Sequence, residues 1–263
     1  MKKVEENMDL SKYLVVTFNT GERTADLTEL SFKKLGFKHF HMISGDDGLR
    51  SKFLKLAKIA HDSEYEYFIQ NDADRYVFSG MLDLIRLAKE EKTDSSAGVG
   101  FDYVMNRFRG ATPNVFSKRA LQYLYLNQHV MPDVQKPLTA FGQFLGKSPD
   151  FIDKDFRVFT NLHDYDQFPS KICNTFLNRL FRGHIHLYDK AYLESLPESY
   201  KSAINHAFKM HNELGRKDKI DYIDFSFLDK DFPVCNSDDY EKMYAEYKAL
   251  YKKILSDFDR PNT

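Results

Sequence analysis

The side chains best suited to chemistry stand in a few short stretches. In "YEYFIQNDADRYVFSG", residues 65–80, Asp72 and Asp74 are one residue apart at the end of an apolar run. Side chains two apart on an extended chain point the same way, so both carboxylates can face one cation, directly or through water. Mg2+ and Mn2+ take oxygen ligands, and Mg2+ commonly completes one or two carboxylates with water and substrate phosphates. The pair suits a bridge between metal and diphosphate, although Asp and Asn also end strands as plain polar turns. A second acidic stretch, "TNLHDYDQFPSKI" from Thr160, offers Asp164 and Asp166 as proton acceptors, or as the cap and first-turn acid of a helix. Two more polar clusters, "TFNTGER" from Thr17 and "SGDDG" from Ser44, also follow apolar runs. Arg50 and Lys52, just beyond the second, either neutralise phosphate or stay solvated on a helix.

These clusters must be carried by regular elements. "YLVVTF", residues 13–18, is β-branched and aromatic and reads as a strand. A helix follows, with Leu27, Leu30, Phe32 and Leu35 near helical spacing, Thr24 as its N-cap and Gly36 as its C-cap. "KHFHMIS" gives a second strand, "LRSKFLKLAKIAHD" a helix with Leu49, Phe53, Leu56 and Ala60 on its apolar face, residues 65–72 the third strand, and "FSGMLDLIRLAKEEK" the third helix. Three such units imply an α/β fold with a mainly parallel sheet, helices on both faces and right-handed crossovers. Ligands of open α/β sheets bind outside the carboxyl ends of the strands, where "TFNTGER", "SGDDG" and "NDAD" would form one crevice. Beyond them, "SAGVGFDYVMNRFRG" supplies further strands, "ATPNVFSKRALQYLYLN" a turn and a helix, and residues 127–160 an irregular stretch with Pro132 and Pro137. "DQFPSKICNTFLNRLFRG" reads as a helix closed by Gly183, and "HIHLYD" as a short strand. Tyr240, Tyr244, Tyr247, Tyr251 and Leu255 put a stripe on a final amphipathic helix, capped by Ser237 or a neighbouring Asp and packed on the parent domain.

Bulk properties exclude some partners. A net charge of -1 over 263 residues sets up no broad field toward nucleic acid or a membrane surface. The start carries Glu and Asp where a signal peptide needs apolar residues, and no window approaches a membrane span, so a cytoplasmic protein is expected. Cys173 and Cys235 share no short spacing and fit structural thiols in a reducing compartment. Aromatics at 15%, with no Trp, suit a globular core and a ring-stacking site and argue against disorder.

The order strand, "TFNTGER", helix, strand, "SGDDG", helix, strand, "NDAD" resembles the nucleotide-sugar half of a GT-A glycosyltransferase, especially the large family typified by bacterial polysaccharide transferases. The likeness runs over residues 12–190, more loosely after 120. It implies a GT-A (Rossmann-like) catalytic domain over 1–195, with a nucleotide-sugar half at 12–110, an acceptor half at 110–195, and a C-terminal helical extension over 196–263. It further implies that Thr17, Asn19 and Arg23 line the nucleotide pocket and Asp46 meets the base. Asp72 and Asp74 would hold Mn2+ or Mg2+ on the diphosphate, Asp72 also touching the donor, and Arg109 would lie near the donor sugar. "SGDDGLR" lacks the family's Ser/Thr-Asp after its glycine, so Asp47 competes with Asp46. In "HDYDQFPSK", Asp164 matches the catalytic base of inverting members, Asp166 the second acid and Lys171 the basic position, while His163 replaces the usual Glu. A C-terminal histidine often completes the metal site in such enzymes. Of His184, His186, His206 and His211, His206 is preferred because Arg216 and Lys217 follow it.

The expected activity is metal-dependent transfer of a sugar from a nucleoside diphosphate, expected to be UDP, to an acceptor hydroxyl with inversion. The acceptor class is open among glycan, protein and modified nucleic acid. Three other readings share some of these features. Haloacid-dehalogenase-like phosphatases carry Asp-x-Asp on their first strand, with Thr or Val two residues after the second Asp, where Tyr76 stands here. Sugar nucleotidyltransferases open with a Gly-rich basic loop, of which "NTGERTAD" is a poor version. A degenerate, non-catalytic transferase-like subunit would keep the fold without the chemistry.

Overall fold

The computed structural model describes residues 8–45, 48–132, 138, 153–181, 183, 189–215, 223–232 and 236–258. In chain order its strands are β1 (Tyr13–Asn19), β2 (Phe40–Ser44), β3 (Tyr67–Asp72), β4 (Arg75–Val77), β5 (Ser95–Asp102), β6 (Arg107–Ser117) and β7 (Asp153–His163). The helices are α1 (Ala25–Lys33), α2 (Leu49–Asp62), α3 (Gly80–Glu90), α4 (Lys118–Leu126), α5 (Pro169–Phe181), α6 (Lys190–Ser195), α7 (Glu198–Leu214) and α8 (Tyr240–Phe258).

The strands form one sheet in the order β2-β1-β3-β6-β5-β7-β4. β1 lies parallel to β2 and β3, and β5 parallel to β7, whereas β6 and β4 run antiparallel to their neighbours. Hence β1, β2, β3, β5 and β7 share one direction and end along one edge. Alternation along β1 feeds two cores. Leu14, Val16 and Phe18 pack with Phe53, Leu56 and Ala60 of α2 and Leu121 and Leu124 of α4. Tyr13 and Val15 pack on the other face with Phe32 of α1 and Met81, Leu84 and Ile85 of α3. This is the α/β fold expected from the sequence, a mainly parallel sheet flanked by helices with a C-terminal helix, and it is consistent with a Rossmann-like GT-A arrangement.

Three segments differ from the sequence reading. Residues 111–117, expected as a turn, continue β6, and Ser117 caps α4 by accepting a hydrogen bond from the Ala120 amide at 3.1 Å. Part of the stretch expected to be irregular is β7, which sits inside the sheet between β5 and β4. Its first residues, "DKDFR", are mostly charged and hide the apolar run that strand prediction needs. Residues 198–214 form α7, which packs against α5 around Phe176, Ala203 and Ile204. "HIHLYD" lies outside the described residues except for Asp189, the N-cap of α6. α8 buries Tyr244, Tyr247, Tyr251 and Ile254 against Tyr76, Phe78 and Phe159. Among the described residues no helix is long and apolar enough to cross a membrane.

Candidate functional site

The "NDAD" turn between β3 and β4 is fixed through its backbone. The Ala73 amide donates to the Phe18 carbonyl at 3.0 Å, and the Ala73 carbonyl accepts from the Thr28 hydroxyl at 2.8 Å and the Thr24 hydroxyl at 3.4 Å. Thr24 therefore serves this turn and makes no side-chain cap on α1. Its hydroxyl also accepts from Gln167 Nε2 at 2.7 Å, which ties the turn to the loop after β7. With the turn so held, Asp72 and Asp74 take different surroundings. Asp72 accepts from Gln70 Nε2 at 3.0 Å and Arg75 Nε at 3.2 Å, while Asp74 turns toward β7.

Parallel pairing sets Asp102, at the end of β5, directly beside His163 at the end of β7. His163 Nδ1 lies 3.2 Å from Asp102 Oδ2 and 3.3 Å from Asp164 Oδ2, and its Nε2 lies 3.3 Å from Asp74 Oδ2. Arg179 of α5 donates to Asp102 Oδ2 at 2.8 Å and Asp164 Oδ2 at 3.1 Å, and Arg109 Nη2 is 3.0 Å from Asp102 Oδ2. Asp102, His163 and Asp164 are all buried. Burial raises all three carboxyl groups, but the opposing charges decide the outcome differently. His163 and then Arg75 and Arg109 hold Asp74 well below the usual carboxylate range. Arg179, His163 and Arg109 do the same for Asp102. For Asp164, burial together with the Asp102 and Asp74 charges outweighs His163 and Arg179, so its carboxyl is pushed up. Burial and Arg75 favour the neutral imidazole of His163, yet the Asp164 and Asp74 carboxylates prevail and its pKa is raised.

Asp74, His163 and Asp164 each bring one ligand atom within 4.8 Å of the others, a grouping able to hold a metal ion. Two features of the chain fit that use. Asp74 Oδ1 is buried and has no hydrogen-bond partner among the described residues, an arrangement that is costly unless something else satisfies it. His163 Nδ1 also lies 2.9 Å from Arg109 Nη2, which can only donate, so Nδ1 either accepts from Arg109 or carries a proton toward Asp102; in the second tautomer the lone pair of Nε2 faces Asp74, as in carboxylate–histidine–metal arrangements. Carboxylate and imidazole ligands together suit Mn2+ or a neighbouring transition ion better than Mg2+.

A cavity of about 180 Å³ opens onto this cluster, lined by Glu22, Asp74, Asp164, Gln167, Lys171 and Asn178 among others. A larger concavity of about 610 Å³ runs between β2 and α2, past His41, Lys55 and Ile59. Its one carboxylate, Asp62, is taken by Lys58 at 2.7 Å, so the smaller cavity is where reactive groups converge.

The other residues singled out by sequence fall around or away from this centre. Thr17 is buried in β1 opposite Asn71. Asn19 Oδ1 accepts from the Gly21 amide at 2.8 Å and the Glu22 amide at 3.1 Å, shaping the turn that puts Glu22 in the cavity. Gly21 takes φ +86°, which that turn requires. Arg23 pairs with Asp166, and Lys171 Nζ donates to the Thr20 carbonyl. Lys52 is buried and donates to the Asn19 carbonyl at 3.4 Å, and Arg50 donates to the Met131 carbonyl at 2.7 Å, so neither is a solvated helix charge. Asp164 and Asp166 precede α5 in a loop and do not cap it. Asp46, Asp47, His184, His186, Arg216 and Lys217 lie outside the described residues. His206 requires a correction: it projects from α7 against Phe225 and Phe227, at 5.5 and 5.3 Å between ring centres, and the histidine beside Asp74 is His163. Asp102 and Arg179 were missed because a lone Asp at a strand end and a lone Arg in a helix carry no local signal.

No family model matches the sequence, and no curated protein matches it. Solved structures of similar shape include a cytidylyltransferase, IspD from Francisella tularensis, at 13% identity and TM-score 0.41 over 58% of this chain and 94% of that one. Another is a glycosyltransferase involved in glycosylation of the major capsid of PBCV-1, at 10% identity and TM-score 0.37 over 57% and 92%. TarS from S. aureus, residues 1–349, gives 12% identity and TM-score 0.39 over 78% and 73%. These likenesses concern the fold.

Proposed function

We propose that the protein is a metal-dependent transferase that moves a sugar from a nucleoside diphosphate, UDP in the first instance, to an acceptor hydroxyl. One observation carries the reading: Asp74 meets His163 and Asp164 on a cavity where an Asp74 oxygen is buried without a partner. Asp74 and His163 would hold the cation, with Asp102 beside the imidazole Nδ1 to orient the ring. A divalent ion bound there would neutralise charge on the departing nucleoside diphosphate. Asp164 is the base. As the acceptor oxygen bonds to the anomeric carbon, the bond from that carbon to the diphosphate breaks with its electron pair, and the hydroxyl proton passes to the Asp164 carboxylate. A carboxyl raised by burial suits that proton transfer better than an ordinary one. Thr17, Asn19 and Arg23 belong to the donor side, Arg23 through the loop it holds with Asp166.

Calorimetric titration with UDP, with and without Mn2+, tests the binding, and a donor screen scores the products. The expected result is Mn2+-dependent UDP binding lost in Asp74→Asn, and UDP release that accelerates with acceptor. Asp164→Asn should keep Mn2+ binding and lose turnover; loss of Mn2+ binding instead would make Asp164 a ligand. Release of pyrophosphate in place of UDP would turn the reading to nucleotidyl transfer. A folded protein that binds no nucleotide would sink it.

A further inference from the structure

The segment that brings His163 and Asp164 to the cavity holds a costly shape. Asp164 and Asp166 both adopt left-handed backbone conformations, at φ +58° and +59°, on either side of Tyr165. Asp tolerates this region better than most residues, but two such residues so close do not persist unless their surroundings over-determine them. The contacts that do so come largely from tyrosines. The Tyr247 hydroxyl, on α8, donates to Asp166 Oδ2 at 2.6 Å, and Arg23 grips the other oxygen of the same carboxylate. Tyr76 donates to the Tyr165 carbonyl at 3.0 Å, and the Gln167 amide donates to the Tyr200 hydroxyl at 2.5 Å. The Tyr247 ring packs against Tyr76 at 4.6 Å and Tyr165 at 4.7 Å between centres.

We propose that Tyr247 of the C-terminal helix is a positioning residue, whose hydroxyl holds the Asp164–Asp166 segment in the shape that presents His163 and Asp164 to Asp74. Tyr247 acts through Asp166 and touches none of the ligand atoms. The proposal rests on the metal reading above for its consequence, and on the geometry of residues 163–167 for its substance. It gives the last helix a task beyond covering the sheet: through one hydroxyl, an element some eighty positions downstream, Tyr247 against Asp166, completes the site.

Tyr247→Phe keeps the ring and its packing and removes only the hydroxyl. Tyr251→Phe is the control, because that hydroxyl, one turn along the same helix, donates to the Phe159 carbonyl at 2.7 Å. Hydrogen exchange of the peptide spanning 163–167 and Mn2+ affinity are measured on the full chain for both variants. Tyr247→Phe is expected to exchange faster at 163–167 and to bind Mn2+ about tenfold more weakly, the scale of a lost outer contact at a metal site, with Tyr251→Phe unchanged in both. Unchanged exchange in Tyr247→Phe overturns the proposal, as do faster exchange with unchanged Mn2+ affinity and equal effects from the two variants. If the unmodified protein binds no Mn2+, the metal-dependent reading falls, and exchange alone decides the clamp: faster exchange in Tyr247→Phe upholds it and unchanged exchange overturns it.

Discussion

Which imidazole serves the "NDAD" turn is decided by strand register. β5 and β7 pair so that Asp102 stands beside His163, and β4 pairs with β7 so that Arg75 stands opposite the same residue. The ring therefore lies between Asp102 on one nitrogen and Asp74 on the other. His163→Gln should lower Mn2+ affinity by more than about tenfold, the cost of losing only an outer partner of a metal ligand, whereas His206→Gln should leave it unchanged. Titration calorimetry on both variants checks this, and equal losses would show that the site is elsewhere. Asp74→Asn should cost more affinity than Asp72→Asn, because Asp72 already accepts from Gln70 and Arg75 while Asp74 keeps a buried oxygen without a partner. Spacing alone left the Asp-x-Asp pair between a polar strand end and a metal pair, and its place after two strand–helix units singled it out. Its division of labour was not legible, since it depends on Arg75 and on a strand whose sequence hides it.

At the scale of elements, the site depends on how closely α3 and β7 approach. A methyl group at Gly80, the first residue of α3, would stand 1.9 Å from the Phe159 carbonyl oxygen, a contact with backbone that no side-chain rotation relieves. Gly80→Ala should therefore destabilise the protein by about 2–3 kcal/mol, the upper range for overpacking, and push β7 with His163 away from β5. Denaturant titration measures the loss, and a stability within about 0.5 kcal/mol of the unmodified protein would refute the tight approach. The first three strand–helix units were readable because each strand is a short apolar run ended by Gly, Asn or Asp and each helix has a clear apolar face. β7 was not, because its first residues, 153–157, are mostly charged and present no apolar run. The buried face of α7, Tyr200, Ala203, Ile204 and Ala207, keeps helical spacing but is short and rests on two alanines, a weak apolar signal.

Across the whole molecule, the charge cluster ties stability to pH in two opposite senses. Asp74 and Asp102 have folded-state pKa values below their unfolded ones, so their contribution is complete above about pH 4 and is lost as pH falls further. His163 is shifted the other way: its raised pKa contributes stability below about pH 6.5, and that contribution is lost as pH rises through the folded value. The raised Asp164 carboxyl also loses its contribution as pH rises above about 4, so the metal-free protein should be most stable near pH 4 and its melting temperature should decline gently at higher pH. A cation at Asp74 and His163 reverses the upper limb, because it needs the neutral imidazole and so competes with the proton that stabilises the metal-free state. Mn2+ at a hundredfold its dissociation constant should add about 2.7 kcal/mol at alkaline pH, or about 5 °C for a chain of this size, and progressively less as pH falls through the raised pKa of His163. Melting curves from pH 5 to 8.5, with and without Mn2+, should diverge as pH rises in the unmodified protein and coincide in Asp74→Asn. Curves that stay parallel across the range would mean that no proton leaves His163 when the ion binds, and would remove the histidine from the metal site.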